Sequence, residues 1–329
     1  MRSPPAFISA ARDGVMSDAR RDVILFHSPA SDPSWRAELA REFPRCLVVD
    51  SLDGIAPERV VAAIVWRYPA GMLQPLANLR IIQVLGAGVD HIVADDRLPP
   101  DVPVARLVDE GLSHSMSIYV AMHALALHRR APELRRAQAE RRWTYIHPVH
   151  PSKTCIGLIG LGVLGLACAQ RLTSLGFSLA GWSRSPKQGL GFPTYAGTQE
   201  LETFQQRVDC YVLLLPITPV TANLIDRAFL ARIKPGSTLI NVGRGGLVDD
   251  AALLDALDSG ALRHAVLDVF RTEPLPADHP FWTHPGVTVT PHNSSGTNPS
   301  TALVQIVDNV RQALRGQLPA NLVDLARGY

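Results

Sequence analysis

The chain has 329 residues, of which 47% are hydrophobic and 19% charged, and its formal net charge at pH 7 is +2. This length is sufficient for two domains that each bury a core. The nearly balanced charge argues against nucleic acid or a membrane surface as the main partner, and the sequence contains no apolar stretch of the ~20 residues that a membrane-spanning helix needs.

Residues 1–22 are predicted to be a loose tail, because they lack the apolar segment of a secretory signal. Met16 is an alternative start, since MSDARRDVILF runs directly into the first predicted strand. The cysteines show no CxxC spacing, which predicts buried thiols in a reducing cytoplasm and no metal site. They are Cys46, Cys155, Cys168 and Cys210.

Two series of short apolar runs alternate with helix-like patterns, which predicts parallel α/β architecture. The predicted strands of the first series are Val23–Phe26, Leu47–Val49, Ala62–Trp66, Ile81–Leu85 and Val104–Val108. Those of the second series are Cys155–Ile159, Ser178–Trp182, Cys210–Leu215, Thr238–Val242, His264–Val269 and Val287–Thr290. Helices are predicted at Ser34–Phe43, within residues 113–142, and from Asn298-Pro299 to about Arg315. The expected fold is therefore two Rossmann-like or flavodoxin-like domains with doubly wound parallel sheets and a cleft between them.

A glycine-rich loop between a predicted strand and helix has the spacing of a dinucleotide-binding site. Gly160 permits the tight turn, Gly162 allows the backbone to approach a pyrophosphate, and Gly165 allows close packing of the helix. Val163 and Leu164 complete the predicted contact, because the start of the helix offers unpaired N–H groups to phosphate.

The end of the next strand predicts which nucleotide binds. A carboxylate at this position would accept hydrogen bonds from the 2′-hydroxyl of NAD. The chain instead has Ser183, Arg184 and Ser185, with Lys187 close by. Because arginine pairs with phosphate through charge-assisted hydrogen bonds, NADPH is the predicted cofactor.

Three charged side chains follow the predicted ends of strands, where ligands bind in open α/β sheets. His292 is predicted to protonate the alkoxide that forms when a nicotinamide reduces a carbonyl. Glu273 is predicted to hydrogen-bond the other ring nitrogen, and Arg244 to pair with a substrate carboxylate. These roles predict a 2-keto acid substrate. Asp268 is predicted either to accept from the nicotinamide carboxamide or to serve as a strand-end or helix-cap residue.

The motifs GLGVLG, INVGRGGLVDD, AVLDVFRTEPLP and VTVTPHNSSGT resemble the D-2-hydroxyacid dehydrogenase family. LGAGVDHI, VWRYP, FWTHP and the terminal ARGY resemble its glyoxylate/hydroxypyruvate reductase A branch. The resemblance covers nearly the whole chain from Val23 to Tyr329. It implies an NADPH-dependent reductase of small 2-keto acids such as glyoxylate and hydroxypyruvate, with Arg244, Glu273 and His292 as the catalytic residues.

The same resemblance implies a division into domains and further contacts. Residues 23–112 plus 298–329 would bind substrate, residues 113–297 would bind the cofactor, and the segment 113–150 would form a homodimer. The implied substrate contacts are Trp66, Arg67, Gly86, Ala87, Gly88, Arg244, His292 and Trp282. The implied additional cofactor contacts are Met116, Leu215, Pro216, Thr221, Val242, Gly243, Arg244, Asp268 and His292.

The sequence leaves other functions open. Arg67 replaces a histidine that is frequent in the reductase A branch, so another D-2-hydroxyacid, or 2-ketogluconate, is an alternative substrate. Formate oxidation is disfavoured, because formate-oxidising relatives carry Gln where this chain has Glu273. An alternative of another class is an NAD(P)H-sensing binding protein that resembles a corepressor.

Overall fold

The computed structural model describes residues 21–29 and 34–329, so most of the predicted tail and Met16 lie outside the described residues. The chain forms two compact units. The first contains the described residues up to Val84 together with Asp96–Ala105 and Val307–Ala320. The second contains Leu85–Asp95, Arg106–Ile306 and Asn321–Tyr329. The predicted domain boundaries at residues 112 and 298 differ from this grouping, and the assignment of the domains to substrate and cofactor stays a prediction.

The first unit contains a five-stranded parallel sheet in the order β2-β1-β3-β4-β5. Its strands are β1 (Val23–His27), β2 (Leu47–Val49), β3 (Val60–Val65), β4 (Ile82–Val84) and β5 (Val104–Ala105), and helix α1 is Ser34–Glu42. This is the flavodoxin-like order, in which the chain starts near the middle and winds in both directions. All six residues of β3 are buried, as expected for a central parallel strand.

The second unit contains a seven-stranded parallel sheet in the order β12-β11-β10-β9-β6-β7-β8. Its strands are β6 (Cys155–Ile159), β7 (Ser178–Ser183), β8 (Thr194–Ala196), β9 (Cys210–Leu213), β10 (Ser237–Asn241), β11 (Leu262–Leu267) and β12 (Val287–Val289). The described helices that complete the fold are α2 (Asp90–Val93), α3 (Glu110–His128), α4 (Ala131–Ala139), α5 (Val163–Ser174), α6 (Leu201–Arg207), α7 (Arg227–Leu230), α8 (Asp250–Asp258) and α9 (Pro299–Leu314). Within the ranges named above, no helix is long and apolar enough to cross a membrane.

Alternate residues of the strands in the second sheet supply two hydrophobic clusters. Ile159 packs in one cluster with residues of α6, α7 and α8. Leu158 packs in the other with residues of α3 and α5. Because successive strand residues point to opposite faces of a sheet, the two clusters lie on opposite faces of the second sheet, and helices cover both faces. The predicted α/β fold with doubly wound parallel sheets is confirmed.

Two local predictions need correction. The second series was expected to contain six strands, and the structure adds β8, whose three half-buried residues give no apolar run. Cys46 is only half-buried, whereas Cys155, Cys168 and Cys210 are buried as predicted. Burial raises the pKa of the Cys168 thiol to about 12 and that of Cys210 to about 11, so both stay protonated.

Candidate active site

The glycine-rich loop joins β6 to α5 at the point where the strand order of the second sheet reverses. Gly160 has φ of +115°, and a Cβ there would lie 2.9 Å from the backbone of Leu214. A Cβ on Gly165 would lie 2.0 Å from the carbonyl oxygen of Gly160. By contrast, a Cβ on Gly162, the residue before α5, would meet nothing within 4 Å. The fold itself therefore requires two of the glycines, and the space beside the third fits an approaching pyrophosphate.

The predicted ribose loop follows β7. Ser183 is buried, and its hydroxyl donates to the carbonyl oxygen of Ser185 over 2.8 Å. Arg184, Ser185 and Lys187 are exposed. The guanidinium of Arg184 lies over the ring of Tyr329, 5.3 Å from its centroid, and among the described residues no carboxylate pairs with it. The loop thus presents cations and no acid, which fits a 2′-phosphate better than a free ribose hydroxyl.

Residues after β9 lie beside the glycine-rich loop. A side-chain carbon of Leu215 would be 3.3 Å from a Cβ on Gly160, and the Leu215 carbonyl oxygen would be 2.8 Å from one on Gly243. The hydroxyl of Thr221 donates to the carbonyl oxygen of Pro216 over 2.8 Å. The structure therefore brings these predicted cofactor contacts close to one edge of the sheet.

His292 and Glu273 form a pair beyond the carboxyl ends of β11 and β12. Nδ1 of His292 lies 2.8 Å from Oε2 of Glu273, and the two side chains are 30% and 18% exposed. The other oxygen of Glu273 accepts from the backbone N–H of Phe270 over 3.1 Å. His292 has φ of +50°, and its N–H donates to the carbonyl oxygen of Asp268 over 2.8 Å. Backbone and side chain together fix the direction of the imidazole.

Asp268 is fully buried and holds the loop that carries His292. Its carboxylate accepts from the hydroxyl of Thr290 over 2.7 Å and from the N–H groups of Asn293 and Ser294 over 2.9 Å each. The hydroxyl of Tyr119 lies 2.5 Å from that of Thr290. Burial raises the pKa of Tyr119, so it stays a donor in this chain of hydrogen bonds. A nicotinamide carboxamide would have to share an oxygen of Asp268 with this loop.

The side chain of Arg244 is oriented by Asp90. Nε and Nη2 of Arg244 each lie 2.7 Å from Oδ1 of Asp90, and Nη1 donates to the carbonyl oxygen of Gly243 over 2.7 Å. Burial alone would raise the pKa of Asp90, but the charge and hydrogen bond of Arg244 hold it below its ordinary value. A guanidinium carries five N–H donors, so donors remain for a second carboxylate.

The loop of residues 86–88 lies directly against Arg244 in the second unit. A Cβ on Gly88 would be 1.5 Å from Nη2 of Arg244, so the guanidinium occupies the space that any other residue type would fill. The loop after β10 also contacts the one after β11, because a Cβ on Gly245 would lie 2.0 Å from the backbone of Phe270. Arg244 and the pair formed by His292 and Glu273 thus belong to adjoining loops.

The structure gives the positions of the other predicted contact residues but does not show what they bind. Met116 and Val242 are buried in the cluster between α3 and the sheet. The side chain of Trp282 is half-exposed and its indole N–H donates to the carbonyl oxygen of Pro276 over 2.8 Å. Trp66 and Arg67 follow β3 in the first unit, where Arg67 is exposed with φ of +49°. The roles of all five residues remain predictions.

Sequence similarity identifies the family to which this site belongs. The family model for the NAD binding domain of D-isomer specific 2-hydroxyacid dehydrogenases matches residues 121–294. A glyoxylate/hydroxypyruvate reductase A of Serratia proteamaculans is 39% identical over 313 residues, which are 94% of this chain and 100% of the relative. The chain belongs to the D-isomer specific 2-hydroxyacid dehydrogenase family. The predicted resemblance is confirmed.

Solved structures of the family agree with the fold. A D-isomer specific 2-hydroxyacid dehydrogenase from Xanthobacter autotrophicus Py2, in complex with NADPH and MES, has a TM-score of 0.88 and 41% identity. An NADPH-dependent glyoxylate/hydroxypyruvate reductase from Sinorhizobium meliloti, in complex with NADP and sulfate, has a TM-score of 0.86 and 32% identity. Both matches cover 94% of this chain and 100% of the other.

Four residues of the site were not found by sequence reasoning. Asp90 lies two residues after Gly88, so its position beside a loop of implied substrate contacts was a signal in the sequence. Tyr119, Thr290 and Tyr329 gave no such signal, because each acts through contacts with residues distant in sequence.

Proposed function

We propose that this family member reduces glyoxylate to glycolate and hydroxypyruvate to D-glycerate with NADPH. The observation that carries the proposal is the 2.8 Å pairing of His292 with Glu273. The pair lies at the edge of a sheet that also carries a glycine-rich loop with open space beside Gly162. The reductases of Serratia proteamaculans and Sinorhizobium meliloti support the choice of substrates. The structures solved with NADPH or NADP support the choice of cofactor.

His292 is the proton donor in this proposal. Bound NADPH supplies a hydride to the keto carbon, and the carbonyl oxygen then needs one proton to become a hydroxyl. With Nδ1 directed at Glu273, Nε2 of His292 is the ring nitrogen available for that transfer. The contact with the Glu273 carboxylate fixes the orientation of the imidazole.

Arg244 is the substrate anchor. Its guanidinium is held by Asp90 at the Gly88 backbone, so its remaining N–H groups can pair with the carboxylate of a 2-keto acid and polarise the adjacent carbonyl. The N–H groups of Gly86, Ala87 and Gly88 would complete the carboxylate site. Trp66, Arg67 and Trp282 are the remaining proposed substrate contacts, with residues 23–112 plus 298–329 as the proposed substrate-binding domain.

Arg184, Ser183, Ser185 and Lys187 would select NADPH. The exposed cations of this loop attract the 2′-phosphate, and no acid is present to favour NADH. The glycine-rich loop and α5 would hold the pyrophosphate. Met116, Leu215, Pro216, Thr221, Val242, Gly243 and Asp268 would complete the cofactor site.

The decisive assay compares NADPH with NADH in the reduction of glyoxylate and hydroxypyruvate, followed by the absorbance of the reduced cofactor. We expect turnover with both acids and a preference for NADPH that Arg184→Ala erodes. Arg227→Ala is the matched control, because its side chain is exposed and pairs with Asp255 of α8, which is not a residue of the loop. NADPH binding without turnover of either acid would contradict the reductase and favour a cofactor-sensing protein.

We also propose that the protein is a cytoplasmic homodimer formed through residues 113–150. This segment exposes large apolar side chains that a second copy would bury: Ile118 (47% exposed), Met122 (52%), Trp143 (99%), Tyr145 (71%) and Val149 (52%). Light scattering after gel filtration should give twice the chain mass. Trp143→Asp should shift the protein towards monomer, and a wild-type monomer would refute the proposal.

A further inference from the structure

Residues 321–329 form a closed turn in the second unit. The carbonyl oxygen of Asn321 accepts from the N–H of Arg106 over 3.0 Å. The N–H of Asp324 donates to the carbonyl oxygen of Tyr329 over 3.2 Å, and the N–H of Gly328 donates back to Asp324 over 2.9 Å. Gly328 has φ of +81°, a conformation that favours glycine. These bonds define the position of Tyr329 through the backbone.

This turn packs against two loops that belong to the proposed cofactor site. A Cβ on Gly328 would lie 3.5 Å from the side-chain methyl carbon of Thr218. The N–H of Thr218 donates to the hydroxyl of Thr221, a predicted cofactor contact, over 2.8 Å. On the other side, the Tyr329 ring lies under the guanidinium of Arg184. One short segment therefore contacts both the loop after β7 and the loop after β9.

The guanidinium carbon of Arg184 lies over the Tyr329 ring, and among the described residues no hydrogen bond or ion pair occupies the N–H donors of Arg184. A cation over an aromatic ring is attracted by the electron density of the ring face, whereas a phosphate is bound by the N–H groups in the guanidinium plane. An exposed arginine loses side-chain freedom when it binds phosphate. A ring that already restricts Arg184 reduces that loss, because the side chain is ordered before the ligand arrives.

We propose that Tyr329 is a positioning residue for cofactor selectivity, which holds Arg184 with its donors directed to the 2′-phosphate of NADPH. The inference rests on the proposed function, since it assumes that Arg184 reads the 2′-phosphate. It predicts a selective effect: removal of the ring weakens the binding of NADPH and leaves that of NADH unchanged.

The test compares Tyr329→Ala and Tyr329→Leu, which lack the π face, with Tyr329→Phe, which keeps it. Cofactor affinities are measured without keto acid, by the fluorescence of NADPH and NADH and by calorimetry with adenosine 2′,5′-bisphosphate. We expect the Ala and Leu variants to lose about two- to fivefold in affinity for both 2′-phosphorylated ligands. Tyr329→Phe should match wild type, and NADH affinity should stay constant in all three.

A double-mutant cycle links the effect to Arg184. In the Arg184→Ala background, Tyr329→Ala should cause no further loss of NADPH affinity, because the Arg184 side chain that Tyr329 positions is already absent. An equal loss of NADPH and NADH affinity in Tyr329→Ala and Tyr329→Leu would overturn the inference, as that pattern indicates a general structural role.

The same variants separate this inference from the proposed cofactor. If Arg184→Ala lowers NADPH affinity but no Tyr329 variant does, the positioning role is wrong and the NADPH proposal stands. If Arg184→Ala leaves NADPH affinity unchanged, the proposed selection of NADPH by this loop fails first, and the role of Tyr329 fails with it.

Discussion

Replacing Gly88 by alanine should disable the substrate anchor while leaving the fold intact. The added Cβ would lie 1.5 Å from Nη2 of Arg244, and Cβ contacts under 3.0 Å essentially never occur, so Nη2 must retreat by at least about 1.5 Å. That retreat breaks the 2.7 Å contacts of Arg244 with Asp90 and moves the donors away from the substrate carboxylate.

The expected loss is large in catalysis and small in stability. A displacement of about 1 Å in a positioning group can lower the rate about 100-fold, which corresponds to about 2.7 kcal/mol in kcat/KM. The ion pair itself is partly exposed, at 21% and 36% of the two side chains, and such pairs contribute about 1 kcal/mol or less. Tm should therefore fall by no more than about 3 °C.

Three measurements test this reasoning: kcat/KM for glyoxylate with saturating NADPH, NADPH affinity by fluorescence, and Tm. Only the first should change strongly. Gly296→Ala is the matched control, because a Cβ there meets nothing within 4 Å and the residue is exposed. A Gly88→Ala protein with kcat/KM within a few-fold of wild type would show that the close contact with Arg244 is dispensable.

Three further predictions concern His292, Arg244 and His264. His292→Ala should lower kcat by about 10²- to 10⁴-fold with NADPH affinity nearly unchanged, and a few-fold effect would remove His292 from the proton-donor role. Arg244→Lys should be severely impaired, because an ammonium cannot reproduce the planar fork; a normal KM and kcat for glyoxylate would contradict the anchor role. Burial lowers the pKa of His264 from 6.5 to about 4. Between pH 4 and pH 6.5, His264 is therefore protonated in the unfolded chain and neutral in the folded protein. The contribution of neutral His264 to the free energy of unfolding is fully present above pH 6.5 and falls by up to about 3 kcal/mol as the pH approaches 4. The drop in Tm between pH 7 and about pH 4.5 should therefore be smaller in His264→Gln than in wild type.

Local sequence patterns account for much of the fold and for the main residues of the candidate site. Apolar runs between turn residues placed β6, β9 and β12 within two residues of their observed ends. The residues at those ends, Gly160 and His292 among them, could be assigned to one edge because parallel strands end on the same side. The pairing of His292 with Glu273 was likewise predictable, since the two follow neighbouring strands and have complementary chemistry.

By itself, then, the sequence determined the α/β class, the glycine-rich loop, the charged residues at the strand ends and the family. Tertiary structure alone decided which residues support them. Asp90 meets Arg244 across 154 residues of chain, and Tyr329 meets Arg184 only because residues 321–329 close into a turn beside β7. The physical reason is that periodicity and turn chemistry act over a few residues, whereas such contacts depend on the path of the whole chain.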